Sequence, residues 1–203
     1  MQFKNFLLIP VCVLYMGSLA ARTSTDTSEP SVLEIDDPAP LFQGLDEEGN
    51  SWKSEDIMGK KYLVVYFYPA AMTGGCTRQA CAYRDDRDRL AELNIAVVGI
   101  SGDKPAGLAI FKNAHQLNFP LLSDPEGQIA RKFGMPAGNG GQIETTVDGK
   151  KVILSRGVTT QRWTFIIGLN GRIVYKNTNV DAVNDSETIV HFIKSLSDPS
   201  IDE

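Results

Sequence analysis

Histidine and cysteine are scarce in this chain, with two of the first and three of the second in 203 residues. That count leaves no second cysteine pair to complete a tetrahedral zinc site and no framework of disulfides. Basic runs are also missing: no five consecutive Lys or Arg occur, and the formal charge is -5, so the electrostatic footprint of a nucleic-acid binder is absent. What remains is 42% hydrophobic and 22% charged, with 18 Gly and 10 Pro, the proportions of an ordinary globular protein with one domain as the default.

The N-terminus differs from the rest. Lys4 supplies a positive charge, Phe6 to Met16 is apolar and broken only by Pro10, and Gly17 to Ala21 is rich in small residues. This is the three-part layout of a secretory signal, with cleavage expected after Ala20. The apolar stretch falls short of the ~20 residues that span a bilayer, so an uncleaved anchor is the disfavoured reading. The expected product is exported, to the periplasm or fully secreted, with no integral span after cleavage. Removing residues 1–20 takes away one Lys and no acid, which makes the exported chain more acidic still.

Cys12 lies in that signal behind Ile9-Pro10-Val11, which is not the small-residue context of a lipid-attachment cysteine. The mature chain then keeps Cys76 and Cys81 alone. A chain of this length buries an adequate core without covalent staples, so the pair is expected to react rather than to brace.

Ala21 to Ser31 is polar and aperiodic, and residues 21–34 read as a flexible leader to a domain over 35–197, with 198–203 as a tail. Lys61 to Tyr68 and Asn94 to Ser101 are continuous apolar, β-branched runs, the pattern of strands buried on both faces. Between them Thr73 to Leu93 has helical spacing, with Thr73 as N-cap, so the unit predicts a parallel pair of strands. Further along, a helix is expected over Lys104–Gln116, a short strand over Phe119–Leu122, and a helix over Pro125–Phe133 closed by Gly134.

Strands over Arg162–Leu169 and Arg172–Asn177 flank Asn170-Gly171, a two-residue hairpin signal. The last helix is expected over Asp185–Leu196, with Asn184 and Glu187 forming a capping-box variant. Met135 to Gln161 is Gly-rich and contains Val147-Asp148-Gly149-Lys150, which suggests an inserted surface hairpin. The sum is an α/β domain: a thioredoxin-like mixed sheet flanked by helices.

The informative segment is Tyr66 to Asp85, YFYPAAMTGGCTRQACAYRD. Cys76 falls in the first turn of the helix that begins near Thr73, where unpaired N–H groups and the macrodipole favour an anion and therefore the nucleophilic thiolate. Cys81 lies five residues on. In one regular helix that offset gives a rise of ~7.5 Å and a Cα separation of roughly 8.6 Å, too far for a disulfide, whose Cα atoms rarely exceed ~7 Å. The two sulfurs therefore join only if the first turns unwind. Metal binding is a poor rival, since His115 and His191 each sit on an expected helix far from Cys76 in sequence.

Pro69-x-x-x-Thr73-x-x-Cys76 resembles the active-site motif of peroxiredoxins, and Cys76-x4-Cys81 is similar to the bacterioferritin-comigratory (Q-type) subgroup. The likeness continues through Ala39-Pro40-Leu41-Phe42, Gly99-Ile100-Ser101, Asp103-Lys104-Pro105, Asn118 to Asp124 and Phe133-Gly134, and covers roughly Ala39 to Leu196. It implies that Cys76 is the peroxidatic cysteine, that Thr73 positions the peroxide as a hydrogen-bond donor, that Pro69 shields the sulfur and that Cys81 resolves. It also implies an arginine from a later strand. Arg162 stands in that place, with Arg156 and Arg78 as the alternatives.

Two departures stand out: Gly74 occupies the place of a usual proline, which should ease unwinding, and the 135–161 segment is long and Gly-rich.

The resemblance implies a thiol-dependent peroxidase acting on hydrogen peroxide and organic hydroperoxides through a sulfenic acid and an intramolecular disulfide, recycled by a thioredoxin-like dithiol. No cofactor or metal is implied, and a monomer is expected. The rival readings are an exported thiol-disulfide oxidoreductase, which the x4 spacing and Thr73 disfavour, and a copper-delivery module on the same fold, which would want closer cysteines and a nearby histidine.

Overall fold

The computed structural model describes residues 32–197. The signal, its cleavage point, Cys12, most of the leader and the 198–203 tail lie outside the described residues. The chain is tied to the sheet just ahead of Ile35, where Leu33 packs on the core and the Glu34 carboxylate accepts from Lys176 Nζ at 2.7 Å.

A seven-stranded sheet organises the molecule. Its strands are β1 (Gln43–Leu45), β2 (Ser51–Lys53), β3 (Tyr62–Phe67), β4 (Ile95–Ser101), β5 (Leu121–Ser123), β8 (Trp163–Ile167) and β9 (Ile173–Asn177), in the order β2-β1-β5-β4-β3-β8-β9. β3 and β4 run parallel, as do β4 and β5; β8 lies antiparallel to β3, and β9 antiparallel to β8. The sheet is therefore mixed, as the strand-helix-strand unit and the hairpin together require.

β3 lies inside the sheet, between β4 and β8, because all of it beyond Tyr62 avoids water. Leu63 to Tyr68 are fully buried, and alternate residues enter two separate cores: Val64, Tyr66 and Tyr68 on one face, Leu63, Val65 and Phe67 on the other. The first face is covered by α1 (Gly74–Asp85), α2 (Arg87–Glu92), α3 (Pro105–His115) and α5 (Asp185–Ser197), and the second by α4 (Gln128–Lys132).

Several local expectations need correction. The single helix over Thr73–Leu93 is two, because Asp86 leaves the helical region (ψ 8) while its carboxylate accepts from Ser186 Oγ and Arg89 Nη1. α4 starts later than Pro125 because Gly127 turns at φ 66 and Asp124, through its side chain, accepts from the N–H groups of Ile129 and Ala130. The capping box on α5 does not form: Asn184 Nδ2 donates to Asp181 and Glu187 pairs with Arg89, leaving only the Asn184 carbonyl to accept from Thr188. The β8–β9 connection is longer than two residues. Gly171, at φ 73, closes a loop by donating to the Gly168 carbonyl.

The 135–161 segment is the hairpin read from its turn signal. β6 (Ala137–Val147) and β7 (Lys150–Thr160) pair antiparallel across Asp148-Gly149, both at positive φ as a two-residue turn of this twist demands. Its inner side, Ile143, Val152 and Leu154, packs on the α3 side of the core.

Candidate active site

The chain leaves β3 through Pro69–Thr73 and enters α1. Two anchors hold that loop. Ala71 N–H donates to Asp103 Oδ2 at 2.8 Å, and the same oxygen accepts from Ser101 Oγ at 2.8 Å. Burial pushes the Asp103 carboxyl above its ordinary pKa, against the lowering pull of those two bonds and of the Arg156 charge. On the other side, Thr160 Oγ1 at the end of the inserted hairpin donates to the Tyr68 carbonyl at 2.9 Å. The insertion thus buttresses the loop, and Arg162 follows it directly. Pro69 is half-buried at the exit of β3.

Thr73 holds the N-cap position in an extended conformation (φ -88, ψ 149), but its side chain makes no cap bond. Thr73 Oγ1 donates instead to the Ala70 carbonyl at 2.9 Å. With its one hydrogen so engaged, the hydroxyl has only lone pairs to offer an incoming molecule. In this arrangement Thr73 is suited to accept a hydrogen bond there, whereas the resemblance implied a donor.

Cys76 is the third residue of α1 and is 1% exposed. It lies where the first-turn N–H groups of a helix lack intrahelical partners. Arg162 Nη2 donates to its Sγ at 3.3 Å, and Arg162 Nη1 donates to Gln79 Oε1 at 2.5 Å. Gly75 leaves room for this approach: a Cβ there would stand 3.2 Å from Arg162 Nη2, and the guanidinium would have to shift by a few tenths of an ångström.

Of the three candidate arginines the fold brings Arg162 to the sulfur. Arg156 is committed on the inserted hairpin, where its Nε donates to Thr159, and Arg78 is exposed.

Cys81 is half-buried on the same helix, and both thiols are free. Since α1 runs unbroken through both positions, they keep the helical separation of roughly 8.6 Å between Cα atoms. The neighbouring Arg84 guanidinium reaches across to the His115 carbonyl at 2.6 Å.

The two histidines have other occupations: the His115 ring stacks edge-on against Phe111, and His191 Nε2 sits 3.0 Å from Glu187. Among the described residues no helix is long and apolar enough to cross a membrane, and no group of three or more His, Cys, Asp or Glu is placed to hold a metal ion.

The site includes groups that the sequence reading passed over. Gln79 is fully buried one turn below Cys76, and its Nε2 donates to Asp185 Oδ2 at 2.7 Å. Tyr83 OH and Thr164 Oγ1 donate to the same oxygen at 2.7 and 2.8 Å. The i, i+3 spacing of Cys76 and Gln79 was a usable signal, since it places both on one helix face. Asp185 offered none, because it reaches the site from the far end of the chain.

Comparison with known proteins agrees with this geometry. The family described as AhpC/TSA matches residues 35–176. A putative peroxiredoxin of Mycobacterium tuberculosis is 42% identical over 146 residues, covering 72% of this chain and 85% of the relative. Peroxiredoxin Bcp of Escherichia coli is 36% identical over 162 residues, 80% of this chain and 96% of the relative. Among solved structures, peroxidoxin BcpB from Mycobacterium tuberculosis superposes with a TM-score of 0.67 at 26% identity, covering 81% of this chain and 98% of that one. A shared fold, a cysteine at the head of α1 under an arginine, and relatives matched over most of their length lead to one assignment: the chain belongs to the AhpC/TSA family, as a peroxiredoxin of the Bcp/Q type.

Proposed function

We propose that Cys76 is the peroxidatic nucleophile of a thiol-dependent peroxidase, with Cys81 as its resolving partner and hydrogen peroxide and organic hydroperoxides as substrates. The observation that carries this is the Arg162 guanidinium donating to the Cys76 sulfur at 3.3 Å at the head of α1. A permanently charged donor in that position meets negative charge first on sulfur and then on the peroxide.

The chemistry balances without a cofactor. The Cys76 thiolate attacks the near peroxide oxygen; an S–O bond forms, the O–O bond breaks, and its electron pair leaves on the distal oxygen, which departs as water or an alcohol after taking up a proton. Sulfur is oxidised to the sulfenic acid and the peroxide is reduced. Arg162 donates to the peroxide oxygens as charge builds, Thr73 accepts from the hydroperoxide O–H, and Pro69 screens the sulfur from water. The first turns of α1 then unwind, and the Cys81 thiol condenses with the sulfenic acid, forming an S–S bond and releasing water. A thioredoxin-like dithiol returns both thiols by exchange.

The rivals fare worse on geometry. The separation of the sulfurs along α1 speaks against direct dithiol exchange, and a guanidinium against the sulfur opposes delivery of a copper cation. Export rests on the three-part layout of residues 1–20, and a working monomer on the intramolecular pairing of Cys76 with Cys81, which needs no second subunit. Cys76→Ser is expected to abolish peroxide consumption. Cys81→Ser is expected to spare the first oxidation and to impair turnover with a dithiol reductant. Steady-state assays of the two variants check this, and wild-type turnover by Cys76→Ser would overturn it.

A further inference from the structure

Asp185 is the first residue of α5, is 2% exposed, and stands more than a hundred positions along the chain from the helix it serves. Three side chains from two other elements donate to its Oδ2: Gln79 and Tyr83 from α1, and Thr164 from β8. Its other oxygen, Oδ1, is buried and has no hydrogen-bond partner. Burial of a carboxylate is costly and has to be offset by such bonds, so this arrangement asks for a reason beyond packing.

The reason lies in the amide of Gln79. A glutamine side chain has a donor end and an acceptor end that differ little in shape. If the amide were reversed, its NH2 group would face the Arg162 guanidinium, donor against donor. While it is ionised, the carboxylate of Asp185 accepts only, so it takes Nε2 at 2.7 Å and leaves Oε1 to take Arg162 Nη1 at 2.5 Å. The other fork of that guanidinium is then held on Cys76 Sγ. A continuous path runs from the head of α5 to the reacting sulfur, and each step in it fixes the orientation of the next.

The same turn of α5 also holds the chain just beyond the helix that must melt. Ser186 Oγ donates to Asp86 Oδ2 at 2.7 Å, and Arg89 donates to Glu187 at 2.5 and 3.0 Å. Three consecutive residues, Asp185, Ser186 and Glu187, thus each bond to α1, to α2 or to the Asp86 joint between them.

We propose that Asp185 is a positioning residue of the peroxide-reducing site, orienting Gln79 so that Arg162 is held against Cys76, and that the same bonds latch α1 in its folded state. This rests on Cys76 being the peroxidatic sulfur. Asp185 touches neither substrate nor sulfur and acts through Gln79.

The test separates the oxidation step from the resolving step by stopped flow. Asp185→Leu is expected to slow Cys76 oxidation about tenfold or more, the scale of one charge-assisted hydrogen bond. The subsequent disulfide formation should proceed at least as fast as in the wild type, since the latch is released. Asp185→Asn keeps the volume and one acceptor and is expected to recover part of the oxidation rate; should Asp185→Leu fail to fold, Asp185→Asn carries the comparison. In a Gln79→Ala background either Asp185 variant should add little further loss, because the path is already cut.

A merely structural Asp185 would slow both steps together and add its effect independently of Gln79, and either result overturns the proposal. Wild-type rates of oxidation in both Asp185 variants would overturn it as well. Wild-type oxidation mapping to a sulfur other than Cys76 would instead remove the reading on which it rests.

Discussion

At the scale of the residue, the site turns on one guanidinium doing two things at once. Arg162 spans Gln79 Oε1 and Cys76 Sγ with its two terminal nitrogens, a fork that a point charge does not reproduce. Arg162→Lys keeps the charge and loses the simultaneous grip. It is expected to slow the first oxidation of Cys76 by about 10- to 100-fold, corresponding to roughly 1.5–3 kcal/mol for a hydrogen bond to a charged group. Single-turnover kinetics with excess peroxide measure it; an unchanged rate would show that charge alone suffices. Cys76, Cys81 and Arg162 were legible in the sequence because their chemistry is confined to a few residue types at telling spacings. Asp185 was not, since its role depends on α5 returning to the head of α1, which no local pattern encodes. The direction of the Thr73 hydroxyl is not encoded locally either, because where it sends its hydrogen depends on the Ala70 carbonyl opposite it.

At the scale of the element, α1 has to be folded for attack and unwound for resolution. Gly74 opens this helix, and its position tolerates proline. The first helical N–H lacks an intrahelical partner in any case, Thr73 already has the extended backbone that a following proline prefers, and the nearest atom to a Cβ at Gly74 is Arg78 Nη1 at 3.8 Å.

Gly74→Pro is therefore expected to stabilise the folded helix by about 0.4–1 kcal/mol through the entropy of the unfolded chain. Formation of the Cys76–Cys81 bond should slow by a corresponding factor of roughly two to five, with the oxidation of Cys76 unaltered. Rapid quench and thiol mapping after a peroxide pulse would show this, and an accelerated disulfide would contradict it. Helix boundaries are weakly encoded in the local sequence for a related reason. The break at Asp86 is made by Ser186 and Arg89, and the late start of α4 by the Asp124 side chain, all of them bonds closed by tertiary structure rather than by propensity.

At the scale of the whole molecule, the architecture was readable because the hydrophobic pattern is so strong. Two uninterrupted apolar runs on either side of a helical segment leave little choice but parallel strands with cores on both faces, and Asp148-Gly149 announces its hairpin outright. The pH dependence of global stability should carry the mark of Asp103, whose pKa is raised by burial. A carboxyl that binds its proton more tightly folded than unfolded contributes stability that is complete below the ordinary value of 3.8 and lost as the pH climbs through the raised one. Asp185, shifted in the same direction, adds to the same slope, while the lowered carboxyls Asp85, Asp181 and Glu187 act with opposite sign at and below the ordinary range. Asp103→Asn keeps an acceptor for the Ala71 N–H and is expected to flatten the decline above pH 3.8. Denaturation series across pH check it, and an unchanged slope would place the linkage elsewhere.

The central claim, that a sulfur at the head of α1 takes an oxygen from peroxide before any disulfide forms, is tested most directly by stopped-flow mixing of reduced protein with hydrogen peroxide and mass mapping of the first product. One added oxygen on Cys76, followed by its loss as the Cys76–Cys81 bond closes, is the expected result. A first oxygen on Cys81, or peroxide consumed with Cys76 unmodified throughout, would contradict the account.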